Sequence, residues 1–114
     1  MAKRKAVWGD TLYICGKAWR VELVEHAFGA ADDTTAVSGS STGYKQVIQV
    51  SLTSSPDAQR ATLVHELDHS VVKSVCNEHP TDEEACTQAH ECGWYSMFRD
   101  PRNDWVWSVL MEDR

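Results

Sequence analysis

An α+β domain is the fold class this sequence predicts, and three features carry that expectation. The first half holds short runs in which apolar residues alternate with polar ones. The second half holds longer runs in which they recur every three or four positions. Between the two lies Ser54-Ser55-Pro56-Asp57, which has the chemistry of a helix start.

"TLYICGKAWRVELVE", Thr11 to Glu25, predicts a β-hairpin. Leu12 and Ile14 alternate with polar or amphipathic neighbours, as do Trp19, Val21 and Leu23, and Gly16-Lys17 suits a two-residue turn. From Phe28 to Tyr44 the chain is rich in Gly, Ala, Ser, Thr and Asp, the composition of a loop or a poorly specified edge segment. "KQVIQVSL" then alternates again, with Ile48, Val50 and Leu52 on one face, and predicts a third strand. The expected sheet is therefore short, antiparallel or mixed, and three-stranded.

Ser55 as N-cap, Pro56 in the first helical position and Asp57 near the positive end of the dipole start a helix that should run to about Cys76. Asn77 is suited to ending it. Ala61, Val64, Val71, Val72 and Val75 fall on one stripe, expected to face the core. A second helix is expected from near Thr81, capped by that residue with Glu84 closing a capping box. It carries Ala85, Ala89, Trp94, Met97 and Phe98 and stops before Pro101. A short last helix, capped by Asn103 or Asp104, should pack through Val106, Val109 and Leu110.

A chain of 114 residues is expected to form one domain, 1–114, with residues 1–10 as a flexible arm. With 42% hydrophobic and 25% charged residues and five Trp, the composition is that of a globular protein. The net charge of −6 opposes the counterion release that drives binding to phosphate backbones, so nucleic acid is not an expected partner. No apolar run reaches the length of a membrane span and no apolar stretch follows Lys3-Arg4-Lys5, so no membrane is expected and the predicted compartment is the cytoplasm. In a reducing compartment Cys15, Cys76, Cys86 and Cys92 are expected to be thiols. Cys76, His79, Cys86, His90 and Cys92 are zinc-ligand types, but their spacing matches no familiar finger or ribbon.

The chemistry concentrates in "ATLVHELDHSVVKSV", Ala61 to Val75. Residues four apart on a helix stand one turn above the other, so His65 and His69 can present two imidazole nitrogens to one ion. Glu66 is rotated about 100° from His65, where a carboxylate can serve as base toward a metal-activated water without being a ligand. Zinc accepts such nitrogens, and a catalytic site needs a third protein ligand and an open position. The chain after His69 lacks a Gly-x-x-His continuation, so a carboxylate from the next helix is the natural candidate: Glu83 or Glu84, both in its first turn.

"QRATLVHELDHSV" and "DEEACTQAHECGWYSMFRDPRND" resemble the small phage- and prophage-encoded zinc metallopeptidases related to the ImmA/IrrE group, the minimal gluzincins. The resemblance implies a small zincin-like domain: a short sheet, an H-E-x-x-H helix, and a following helix whose glutamate completes the site. Carried over by position, it makes His65, His69 and Glu84 the ligands of one Zn²⁺ per chain, with Glu83 as the alternative third ligand, and Glu66 the general base. It also implies hydrolysis of a protein or peptide substrate in the host cytoplasm. Characterised members of the wider group cleave DNA-binding repressors.

Two positions depart from that pattern. Relatives usually carry an apolar residue at Asp68, which projects onto the middle of the valine stripe, where an unpartnered carboxylate is costly to bury. Asp68 is therefore expected either to find a partner, for instance as the acceptor of a histidine N–H beside the metal, or to lie on a stripe less buried than its valines imply. The second helix is also polar at Thr87 and His90, where relatives tend to be aliphatic. Tyr95, Tyr44, His79 and His90 are candidate oxyanion donors. The strand at Gln46 to Leu52, or the Ser/Thr-rich segment before it, could hold an extended peptide by strand addition. The competing reading is a zincin-shaped binding module that keeps zinc for stability and does no hydrolysis.

Overall fold

The computed structural model describes residues 7–25, 27–29, 32–37, 39–42, 46–76 and 82–112. They form a small α+β domain in which a mixed sheet precedes three α-helices. The helices pack against the sheet around one core, built from Leu12, Ile14, Trp19 and Val21 of the hairpin, Ile48 and Val50 of the following strand, and Leu63, Leu67, Val71, Met97, Val106 and Val109 of the helices.

The hairpin pairs β1 (Thr11–Ile14) with β2 (Lys17–Val24), Leu12 opposite Trp19 and Ile14 opposite Lys17. Its turn is Cys15-Gly16, one residue earlier than the expected Gly16-Lys17. Both turn residues have positive φ, 50° and 78°, which a tight hairpin turn matching the strand twist requires at both central positions. Of the expected N-terminal arm, residues 1–6 lie outside the described residues. Trp8 packs on Trp105 with ring centroids 6.2 Å apart, and the Asp10 carbonyl accepts from Val21 N–H.

The loop-like segment supplies three short strands: β3 (Ala27–Gly29), β4 (Asp32–Val37) and β5 (Gly39–Thr42). β3 and β4 form a separate antiparallel pair, and β5 joins the main sheet antiparallel to β6 (Val47–Ser51). β6 runs parallel to β2, Val21 opposite Ile48 and Leu23 opposite Val50. The sheet order is β1-β2-β6-β5, four strands where three were expected. β6 is thus interior, and of the two segments considered for strand addition only β5 borders the sheet. Leu52, expected to face inward, is 52% exposed because β6 ends at Ser51 and the chain turns.

The opposite edge is closed by side chains. Asn103, fully buried, accepts from Tyr13 N–H at 2.7 Å and donates to the Tyr13 carbonyl at 2.8 Å and the Met97 carbonyl at 3.1 Å. Trp105 Nε1 donates to the Thr11 carbonyl at 2.9 Å. Asn103 precedes α3 (Asp104–Leu110), but its side chain makes no cap hydrogen bond, because it is committed to β1.

Helix α1 (Pro56–Val75) begins as its sequence requires, with Ser55 accepting from Ala58 N–H. Cys76 is its C-cap, and Asn77 lies outside the described residues. The face turned to the core differs from the expected stripe. Of the expected stripe, Val71 and Val72 are buried together with Leu63, Leu67, Ser70 and Ser74, whereas Ala61 is exposed and Val64 and Val75 are 43% and 38% exposed. The sheet selects the leucine flank, and serines let the helix come close: Trp19 Nε1 donates to Ser74 Oγ at 2.8 Å, and Lys17 Nζ donates to the Ser74 carbonyl at 2.9 Å.

Helix α2 (Glu83–Arg99) is capped by Asp82, whose carboxylate accepts from Glu84 N–H; Thr81 lies outside the described residues. Ala89, Gly93 and Met97 are its buried positions, while Phe98 is 62% exposed and stacks on Trp107 at 4.8 Å. Gly93 is required by close approach: a Cβ there would lie 2.3 Å from Val71 Cγ1. A 3₁₀ turn (Pro101–Asn103) leads into α3, which buries Val106 and Val109. Among the described residues, no helix is long and apolar enough to cross a membrane.

Candidate metal centre

The middle of α1 brings His65, Glu66 and His69 together. The two Nε2 atoms are 3.2 Å apart, with ring centroids 4.8 Å apart and planes at 72°. The Glu66 carboxylate comes within 4.0 Å of His65 Nε2. Exposure separates their roles: the His65 side chain is 68% exposed, while that of Glu66 is 8% exposed. The imidazoles thus face outward over a buried acid, fixed by one helix whose leucine flank is pinned to the sheet.

The spacing of the nitrogens fits a shared ion. Two nitrogens each about 2.05 Å from one zinc, at a tetrahedral angle, stand roughly 3.3 Å apart. The same separation allows an N–H···N hydrogen bond between two neutral rings, and in both arrangements at least one Nε2 directs a lone pair at the space between them.

Asp68 has found its partners on α2. Its Oδ1 accepts from His90 Nδ1 at 2.9 Å and from Trp94 Nε1 at 3.1 Å. The expected histidine acceptor role is therefore directed at His90 rather than at His65 or His69. The two departures noted in the sequence explain each other: the acid on the α1 flank and the polar residue on α2 are one interhelical link. The carboxylate accepts at Nδ1, so His90 carries its Nδ1 proton in this link.

The first turn of α2 carries the two acids considered as third ligand. Glu83 lies seven and eleven positions before His90 and Trp94, on the stripe that meets Asp68. Glu84 is rotated about 100° from it, is exposed, and lies 3.5 Å from Gln88 Nε2. Among the described residues, no group of three His, Cys, Asp or Glu side chains converges as a metal site, so neither glutamate is drawn up to His65 and His69. Cys76 and Cys86 are half-buried, Cys15 and Cys92 exposed, and all four thiols are free. Of the oxyanion candidates, Tyr95 is 66% exposed and His90 is engaged with Asp68; Tyr44 and His79 lie outside the described residues.

The Asp68–His90–Trp94 link was not assembled from the sequence. Its signal was present as a carboxylate on an apolar flank, which needs a donor, and a histidine among the packing positions of the neighbouring helix. Compared with protein families, curated proteins and solved structures, the chain matches none.

Proposed function

We propose that the chain is a zinc-dependent peptidase of the minimal gluzincin kind, with His65 and His69 as metal ligands and Glu66 as general base. The observation that carries this reading is the pair of Nε2 atoms 3.2 Å apart beside a buried carboxylate. A purely structural zinc site has no use for that carboxylate. The third donor in this reading comes from the first turn of α2, and helix phase favours Glu83 over Glu84.

His65 and His69 would hold the zinc, and the chemistry it would supply is Lewis acidity toward a water and a peptide carbonyl. Glu66 then takes the proton from the attacking water and delivers it to the leaving amine. Its burial keeps the carboxylate directed at the histidine edge and away from bulk solvent. His65 and His69 would ligate through ring-nitrogen lone pairs. The border of the sheet at β5, beside α1, is where an extended peptide could add as a further strand.

The test is metal analysis joined to hydrolysis. Purified protein should hold about one zinc per chain. His65→Ala should lose it, and Glu66→Gln should keep the metal while peptide hydrolysis falls by at least about 100-fold. Absence of zinc uptake by the folded protein, or full activity in Glu66→Gln, overturns the reading. A zinc held by four protein ligands with no open position would instead favour a binding module.

A further inference from the structure

The turn that closes the first hairpin carries a cysteine where such turns favour asparagine, aspartate or glycine. Cys15 adopts φ 50°, a left-handed conformation that a residue with a Cβ takes at some cost. Its backbone N–H donates to Ser96 Oγ at 2.7 Å, and its Sγ lies 4.0 Å from the Cys92 carbonyl oxygen. A carbonyl oxygen is about 2.4 Å from its own Cα, so Cys15 Sγ is no more than roughly 6.4 Å from Cys92 Cα. Both residues are exposed, free thiols. The bond to Ser96, one helical turn beyond Cys92, holds the backbone of the turn against this flank of α2.

We propose that Cys15 and Cys92 are a redox pair that forms an intramolecular disulfide between the hairpin turn and the middle of α2. The oxidant is a low-molecular-weight disulfide such as glutathione disulfide. One protein thiolate attacks a sulfur of that disulfide and releases a thiol, leaving a mixed disulfide on the protein. The second protein thiolate attacks the protein sulfur of the mixed disulfide and releases the second thiol. Two protein thiols are oxidised, losing two electrons and two protons, and one small disulfide is reduced to two thiols. The cross-link joins residues 77 apart in sequence and ties α2 to the sheet. This pairing is independent of the peptidase reading.

The experiment uses the whole chain, reduced and then equilibrated with excess glutathione disulfide under non-denaturing conditions. Alkylation of the four thiols should fall to two, with the missing pair recovered by peptide mapping as a Cys15–Cys92 linked peptide. The melting temperature should rise by about 5 °C or more, because a long loop is closed in the unfolded chain. Cys15→Ser and Cys92→Ser should each form no intramolecular bridge and show no such rise. Retention of four alkylatable thiols, a bridge to Cys76 or Cys86, or a disulfide between two chains would overturn the proposal.

Discussion

A methyl group placed at Gly93 tests how α1 and α2 are held together, and through them the candidate metal centre. The added Cβ would lie 2.3 Å from Val71 Cγ1, 3.2 Å from Val71 Cβ and 3.1 Å from the Val71 carbonyl oxygen. Carbon atoms in contact sit about 3.5 to 4.0 Å apart, so either α2 retreats by about 1 Å or Val71 leaves its rotamer. Val71 is fully buried, and a close-packed interior offers little space to rotate into. Overpacking of this kind costs about 1 to 3 kcal/mol, offset by up to about 1 kcal/mol from the better helix propensity of alanine. A net loss of about 1 to 2 kcal/mol should lower the melting temperature of Gly93→Ala by roughly 5 to 10 °C. Retreat of α2 would also lengthen the bonds from His90 and Trp94 to Asp68, so the environment of the Trp94 indole should change together with stability. Thermal melts of Gly93→Ala, Val71→Ala and the double variant read the contact directly, since removing Cγ1 makes room for the methyl. Their coupling should be at least about 1 kcal/mol. A melting temperature unchanged within about 1 °C and additive effects would refute the close approach.

Substitutions at three further positions probe the frame around the site. Asn103→Ala should cost about 3 kcal/mol in urea denaturation, because it strips partners from Tyr13 and Met97, and Asn103→Asp should do no better, since it turns a carboxylate toward two carbonyls. Asp68→Ala should cost about 1 kcal/mol, moderated by the half-exposed carboxylate, and should alter Trp94 fluorescence by releasing its indole N–H. The Asp100 carboxyl is held below the usual carboxylate pKa by the side-chain hydrogen bonds from Arg102, then by the Arg102 backbone N–H. The stabilisation from a depressed carboxylate is fully present above its unfolded value and is lost as pH falls through the depressed folded value. Arg102→Ala should therefore move the Asp100 titration upward in carbon-13 NMR and weaken the fold near neutral pH relative to strongly acid pH, where the two proteins converge.

What could be read from the sequence followed from how strongly local chemistry decided each element. β1, β2 and β6 alternate so cleanly that the buried face follows from Leu12, Ile14, Trp19, Val21, Ile48 and Val50, whereas the hairpin register depends on a turn that falls one residue earlier than expected. Ser55-Pro56-Asp57 places the start of α1 by capping alone, and helical geometry then places His65 over His69. The phase of α1 was harder, because Leu63, Val64, Leu67, Val71, Val72 and Val75 surround much of the helix. Only the sheet and Gly93 decide which flank is buried, and both act over long sequence distance. β3 to β5 lack apolar alternation, so their pairing is a backbone event that composition does not announce. Asn103 looked like a cap because its neighbours are helical, and its commitment to Tyr13, 90 residues earlier, is a tertiary contact.

The same distinction bears on the proposed third metal donor, where the resemblance implies Glu84 and helix phase relative to His90 and Trp94 points to Glu83. A helix turns about 100° per residue, so the two carboxylates cannot serve the same face equally. His90 and Trp94 fix that face by donating to Asp68, which neighbours His69 on α1. Glu83 shares their stripe, and Glu84 points a third of a turn away. Loss of a metal ligand should exceed the effect of losing an outer partner, which is about 10- to 100-fold in affinity. Zinc titration against a competing chelator should then show Glu83→Gln weakened by more than about 100-fold and Glu84→Gln by less than about tenfold. Both variants should melt like the parent in the metal-free state, because both side chains are exposed at a helix start. A reversed order would mean that α2 rotates on binding metal and that the Asp68 link does not hold its phase. Equal and small effects would place the third donor elsewhere in the chain, and the helix-phase argument would fail.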